Sequence, residues 1–103
     1  MSTYFANHIG PTAVTAILPD AHRRVRIRRL LLTTSASGAV RFKRNPGPSE
    51  VFILPDLHLR AGGPALDVSF DEEFPQTQRN DALGYTTDIA GAHSVWMEYE
   101  LVA

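Results

Sequence analysis

Prolines and glycines interrupt this chain about every 8–12 residues, a rhythm that leaves room for strands but not for long helices. Pro11, Pro19, Pro46, Pro48, Pro55, Pro64 and Pro75 mark the breaks, with Gly38, Gly47, Gly62, Gly63, Gly84 and Gly91 between them. The intervening segments are rich in Val, Ile, Leu, Phe, Tyr and Thr. No 10-residue window carries a convincing 3.6-residue period. The spacing therefore predicts a β-sandwich or barrel and excludes βαβ units.

Eight strands follow from this punctuation, over residues 12–18, 24–34, 39–43, 50–54, 57–60, 65–70, 82–87 and 94–102. Alternation assigns their faces, because successive side chains of a strand point to opposite sides. Val40 and Phe42 oppose Arg41 and Lys43; Leu66, Val68 and Phe70 oppose Asp67, Ser69 and Asp71. In the last segment Val95, Met97, Tyr99 and Leu101 oppose Ser94, Trp96, Glu98 and Glu100. Eight such segments suggest two packed antiparallel sheets with Greek-key or jelly-roll connections.

The segment RRVRIRRLLLTT, residues 23–34, tests that reading. In a helix its five arginines would cover nearly the whole circumference and leave no apolar stripe for a core. In a strand Arg24, Arg26 and Arg28 share one face, with Val25 and Ile27 on the other. The alternation slips at Arg28-Arg29, since Leu30 and Leu32 share parity with the arginines. A β-bulge there, or a strand end buried on both faces, absorbs the slip. Aligned arginines repel unless opposed, and Glu98 and Glu100 of the last strand are the natural partners if the two strands are antiparallel neighbours. Such exposed pairs would fix register more than stability.

At 103 residues the chain is expected to form one domain, residues 12–103, preceded by an extended arm, residues 1–11, with too little pattern to fold alone. There is no cysteine, which excludes disulfides and thiolate metal sites. No apolar run approaches the roughly 20 residues of a membrane helix, and no membrane partner is expected. The net charge of −1 argues against a dedicated nucleic-acid binder. Charge is nonetheless uneven: eight of the ten basic residues lie between Arg23 and Arg44, and the acids cluster after Asp71. Either a basic docking surface or basic strands lying beside acidic ones would produce that asymmetry.

Little in the sequence points to chemistry. His8, His22, His58 and His93 lack zinc-ligand spacing, no calcium-loop pattern surrounds Asp67 and Asp71–Glu73, and no nucleophile elbow or phosphate loop is present. The expectation is a protein without catalytic, metal or cofactor sites. Trp96, on the polar face of the last strand, is the aromatic residue to watch. It marks a contact with a ligand or neighbouring subunit, or covers a sheet edge of its own chain.

Three pieces of the chain resemble small virion proteins of tailed bacteriophages, the capsid decoration (cement) proteins and related head-fibre or spike-base domains. They are RRVRIRRLLLTTSASGAVRF, LHLRAGGPALDVSF and ALGYTTDIAGAHSVWMEYELV. The resemblance rests on hairpin patterns over about four-fifths of the chain, and the acidic stretch DEEFPQTQRND departs from it. It implies a non-enzymatic protein on the capsid exterior, assembled in the bacterial host cytoplasm. Its expected partners are the major capsid protein and copies of itself, a homotrimer being favoured. Tyr4 and Phe5 of the arm, the patch Arg41, Lys43 and Arg44, and Trp96 are the candidate contacts. A sugar- or receptor-binding β-sandwich of a fibre or spike is the alternative, using Trp96, Tyr85 and acidic residues of 71–81. A tail or neck component is a third possibility.

Overall fold

A computed structural model describes residues 1–44, 50–70 and 75–103. The described residues are all-β and form nine strands: β1 (Ser2–Ile9), β2 (Thr12–Ile17), β3 (Arg24–Thr34), β4 (Gly38–Arg44), β5 (Val51–Phe52), β6 (Leu57–Leu59), β7 (Leu66–Ser69), β8 (Leu83–Thr87) and β9 (Ala92–Val102). They form two antiparallel sheets packed face to face. The first has the order β1-β9-β3-β7; in the second, β2-β8-β4-β5, β6 also pairs with β4. Strands adjacent in sequence mostly fall in opposite sheets, the winding of a jelly roll. Among the described residues no helix is long and apolar enough to cross a membrane.

The largest difference from the sequence reading lies at the N-terminus. Residues 2–9, read above as part of an arm, are β1, paired with β9 from Ser2↔Tyr99 to Ile9↔Ala92 without a break in register. Their pattern is inverted, which hides the strand. Phe5 and Ile9 point outward, 58% and 89% exposed, while Tyr4, Ala6 and His8 point toward the opposite sheet. Gly10, at φ 85°, then turns the chain into the second sheet, a left-handed conformation that suits glycine.

β3 and β9 are antiparallel neighbours, and their register shifts between Ile27 and Arg29. Arg28 is the extra residue of a β-bulge. Arg28 and Arg29 together occupy one position of the ladder, so Leu30 and Leu32 return to the face of Val25 and Ile27. All four are buried there. The bulge also supplies bonding capacity to neighbours, since the Arg28 carbonyl accepts from the Phe70 N–H at 2.9 Å. On its N-terminal half, β3 is covered by residues 75–77. Ile27 N–H donates to the Pro75 carbonyl, and the Val25 N–H donates to Thr77 Oγ1 at 2.8 Å. Thr77 is buried, so this part of the 71–81 stretch is structural. Asp71, Glu72 and Glu73 lie outside the described residues.

Between the sheets sits one core: Val25, Ile27, Leu30, Leu32, Val40, Phe42, Leu59, Leu83, Tyr85, Ile89, Val95 and Met97. Alternation of β4 and β9 delivers their shares, Val40 and Phe42 from one sheet and Val95 and Met97 from the other. Tyr85 is the largest fully buried side chain, packed against Phe42 with ring centroids 5.3 Å apart.

Candidate functional site

Strand parity and the Arg28 bulge together set the outer face of the first sheet. Phe5, Trp96, Leu31 and Asp67 stand in one cross-strand row over β1, β9, β3 and β7. The adjacent rows carry Thr3, Glu98, Arg29 and Ser69 on one side, and Asn7, Ser94 and Thr33 on the other. Phe5, Arg29, Leu31, Thr33, Ser94 and Trp96 line an open groove of about 360 Å³.

Its floor is apolar and its borders are polar. Arg29 is held by a fork of two hydrogen bonds to Asp67, from Nε at 2.9 Å and from Nη2 at 2.7 Å. That pairing fixes the guanidinium, whose central carbon lies 5.6 Å from the centroid of a Trp96 ring, a cation–π arrangement. The hydrogen bond and charge of Asp67 push Arg29 above its ordinary pKa, and the Arg29 hydrogen bond holds Asp67 below the usual carboxylate range. Both groups therefore stay charged throughout the neutral range. Thr33 and Ser94 join hydroxyl to hydroxyl at the far side. The arrangement offers apolar contact area, the Arg29–Asp67 ion pair and two hydroxyls.

The candidate contacts do not all gather here. Phe5 and Trp96 come together as cross-strand neighbours. Tyr4 points the other way, into the sandwich, with its hydroxyl 2.8 Å from that of Tyr85. Arg41, Lys43 and Arg44 lie in the second sheet, each paired with a carboxylate of this chain. Arg41 meets Asp56 at 3.0 Å and Asp88 at 3.4 Å, Lys43 meets Glu50 at 2.5 Å, and Arg44 meets Asp81 at 3.0 Å. The Ala39 N–H, bonded to Asp88, is the first cause of the lowered pKa of that carboxyl; Arg41 adds to it. The uneven charge of the chain is thus largely spent within the fold.

The arginine stripe behaves likewise. Arg26 and Arg28 each approach Glu100 Oε1 at 3.4 Å. Arg24 stands opposite Val102, whereas Glu98 stands opposite Arg29 across the bulge. Tyr85, considered above for a sugar surface, has a fully buried side chain and offers no platform to a ligand.

Sequence reading missed a polar cluster between the sheets. Tyr85 Oη lies 2.6 Å from His8 Nε2 and 2.8 Å from Tyr4 Oη, so its single proton serves one partner while its oxygen accepts from the other. Burial, then the Tyr4 hydrogen bond, raise the Tyr85 phenol well above its ordinary pKa. His8 sits 5.4 Å, centroid to centroid, from His93. Partial burial, and secondarily the charge of His93, lower the His8 pKa below 6.5. His93 is buried, bonded through Nδ1 to the Gly91 carbonyl and through Nε2 to Thr87 Oγ1 at 2.9 Å. Among the described residues no three or more His, Asp or Glu side chains gather as a metal site. The available signal was parity: Tyr4 and His8 share a face of β1, which matters only once β1 is known to be a strand.

No protein-family model matches the chain, and no curated protein is similar to it at a significant level.

Proposed function

We propose that this chain is a non-enzymatic adhesion protein of a bacteriophage particle, a decoration (cement) protein that docks on the outer capsid surface, against the major capsid protein, and stiffens the shell. The observation that carries docking is the row Phe5–Trp96–Leu31 with Arg29 fixed beside it. Trp and Arg are the side chains that most often dominate binding energy at protein interfaces, and a partner that covers this row removes its apolar surface from water. The capsid as partner follows from the resemblance of the strand segments to decoration proteins. A rigid jelly roll with an adhesive sheet face suits that role.

Particles stripped of the protein are expected to lose resistance to heat or osmotic shock, and adding back the purified chain restores it. Trp96→Ala, at a half-buried outer position, folds but fails to restore it. Stripped particles as resistant as intact ones would sink the stabilising role.

A second reading draws on the same groove. An aromatic floor bordered by Thr33, Ser94 and the Arg29–Asp67 fork also suits a sugar ring, which stacks on an apolar face and hydrogen-bonds at its edge. Binding of the isolated domain on a glycan array, lost in Trp96→Ala, would favour this reading over the first.

A further inference from the structure

β1 is the free edge of the first sheet, and its backbone bonding pattern can be read from two hydrogen bonds. The Gly10 N–H donates to the Gly91 carbonyl, continuing the β1–β9 register, so even-numbered residues of β1 bond to β9. On the other side of β9, the Ser35 N–H donates to the Ala92 carbonyl, which places the even residues of β9 toward β3 and agrees with that parity. Bonded and non-bonded pairs alternate along an antiparallel ladder. The N–H and C=O groups of Thr3, Phe5, Asn7 and Ile9 therefore point away from the sheet, at its open edge.

Exposed edges are ordinarily guarded by charge, proline, bulges or brevity. The other edges here carry such guards. β2 has a register shift between Thr15 and Ile17 and lies between Pro11 and Pro19. β7 is four residues long and bears Asp67, and β5 and β6 have two and three residues. β1 has none: its eight residues, STYFANHI, contain no proline, lysine, arginine or carboxylate, and its pairing with β9 is regular throughout.

We infer that β1 is a self-association edge, which pairs antiparallel with β1 of a second copy about a two-fold axis at Phe5. A copy of the same chain fits because the strand is its own complement. With Phe5 opposite Phe5, Thr3 faces Asn7, and the exposed Met1 and Ile9 face each other. Odd residues then meet odd residues, as the free N–H and C=O groups require, and the whole strand is used. Moving the axis to Ala6 places Ile9 opposite Thr3 and leaves Met1 beyond the ladder. The product is one continuous eight-stranded sheet in which Trp96, Phe5 and their two symmetry mates form a single aromatic row on the outer face. An isologous interface of this kind closes on itself and yields a dimer.

A junction of one strand buries less than the about 800 Å² per partner of a standard interface. Its expected dissociation constant is therefore on the order of 10 μM. The inference is independent of the capsid proposal, and it specifies a dimer where the family resemblance implies a trimer.

Sedimentation velocity of the full chain from about 1 to about 500 μM should show monomer giving way to dimer. The absence of cysteine makes single-cysteine variants clean reporters of register. Residues of a bonded pair have Cα atoms about 5.5 Å apart, within disulfide reach. Phe5→Cys should thus cross-link to itself under mild oxidation, about tenfold faster than Thr3→Cys, whose two copies lie about 13 Å apart along the ladder. A mixture of Thr3→Cys and Asn7→Cys chains should cross-link to each other, although neither does so alone. The mixture also serves if Phe5→Cys alters the outer face. Monomer at every concentration, a trimer, or equal cross-linking of Phe5→Cys and Thr3→Cys would overturn the inference. A chain that stays monomeric yet restores stripped particles would overturn this pairing alone.

Discussion

Replacing Tyr85 by Phe asks whether the first nine residues belong to the folded domain. The substitution keeps the ring that fills the centre of the core, where Tyr85 is fully buried, and deletes only its hydroxyl. That hydroxyl holds two side chains of β1, Tyr4 at 2.8 Å and His8 at 2.6 Å. Each lost hydrogen bond costs about 1 kcal/mol, so the variant should be less stable by about 2 kcal/mol. In a domain of this size that corresponds to a fall in Tm of about 8–16 °C. Tyr4→Phe removes one of the two bonds and should cost about 1 kcal/mol.

The decisive quantity is the coupling. In Tyr85→Phe the Tyr4 hydroxyl has already lost its partner, so adding Tyr4→Phe should cost almost nothing more. A double-mutant cycle by urea denaturation at pH 7.5 should therefore give a coupling of about 1 kcal/mol, above the about 0.3–0.5 kcal/mol scatter of independent sites. If residues 2–9 were an undocked arm, Tyr4→Phe would have no effect and the two changes would add. A Tyr85→Phe variant as stable as the parent, or a coupling within that scatter, refutes the placement of β1.

Four further perturbations follow from the same geometry. His8 is held below its unfolded value of 6.5, so the unfolded chain takes up its proton first as pH falls; stability should be full above pH 6.5, decline from there toward the folded pKa, and level off below it. His8→Gln should flatten that decline in urea titrations run from pH 7.5 to 5. Deleting Arg28 should leave a folded protein about 1–2 kcal/mol less stable, having lost the Phe70 N–H bond and one contact to Glu100, because Arg29 then completes a regular alternation. Deleting Leu31 should abolish cooperative unfolding, because it places Leu32 on the outer face. Gly38→Ala should cost about 1–3 kcal/mol by thermal denaturation: its Cβ would stand 2.6 Å from Cγ1 of the fully buried Ile89, which has no room to move.

How much of this was legible in the sequence depended on whether each side chain's polarity matched the face it occupies. β4 and β9 put apolar residues on the inner face and charged ones on the outer, where Lys43 is itself buried against Glu50, and their alternation alone located the core shares of Val40, Phe42, Val95 and Met97. In β3 the slip at Arg28-Arg29 admitted a bulge or a strand end buried on both faces, and the register shift against β9 is the bulge, which brings Leu30 and Leu32 inside. Pairing was harder to foresee in detail. The bulge moves Arg29 opposite Glu98, which a simple count along RRVRIRR assigns to another arginine.

β1 escaped because its polarity is reversed, and the reversal has a physical cause in the opposite sheet. Tyr85 brings a hydroxyl into the core, and a buried hydroxyl without a partner costs about 1–3 kcal/mol. Tyr4 and His8 supply those partners and must therefore point inward. Phe5 and Ile9 are left on the outside by the two-residue period, with no core to enter. An exposed Phe beside a half-buried Trp leaves apolar surface in water that a covering partner would remove. The same alternation that satisfies Tyr85 thus creates the outer aromatic row, and a change that restored ordinary polarity to β1 would strip the core of its hydrogen bonds and the outer face of Phe5 together.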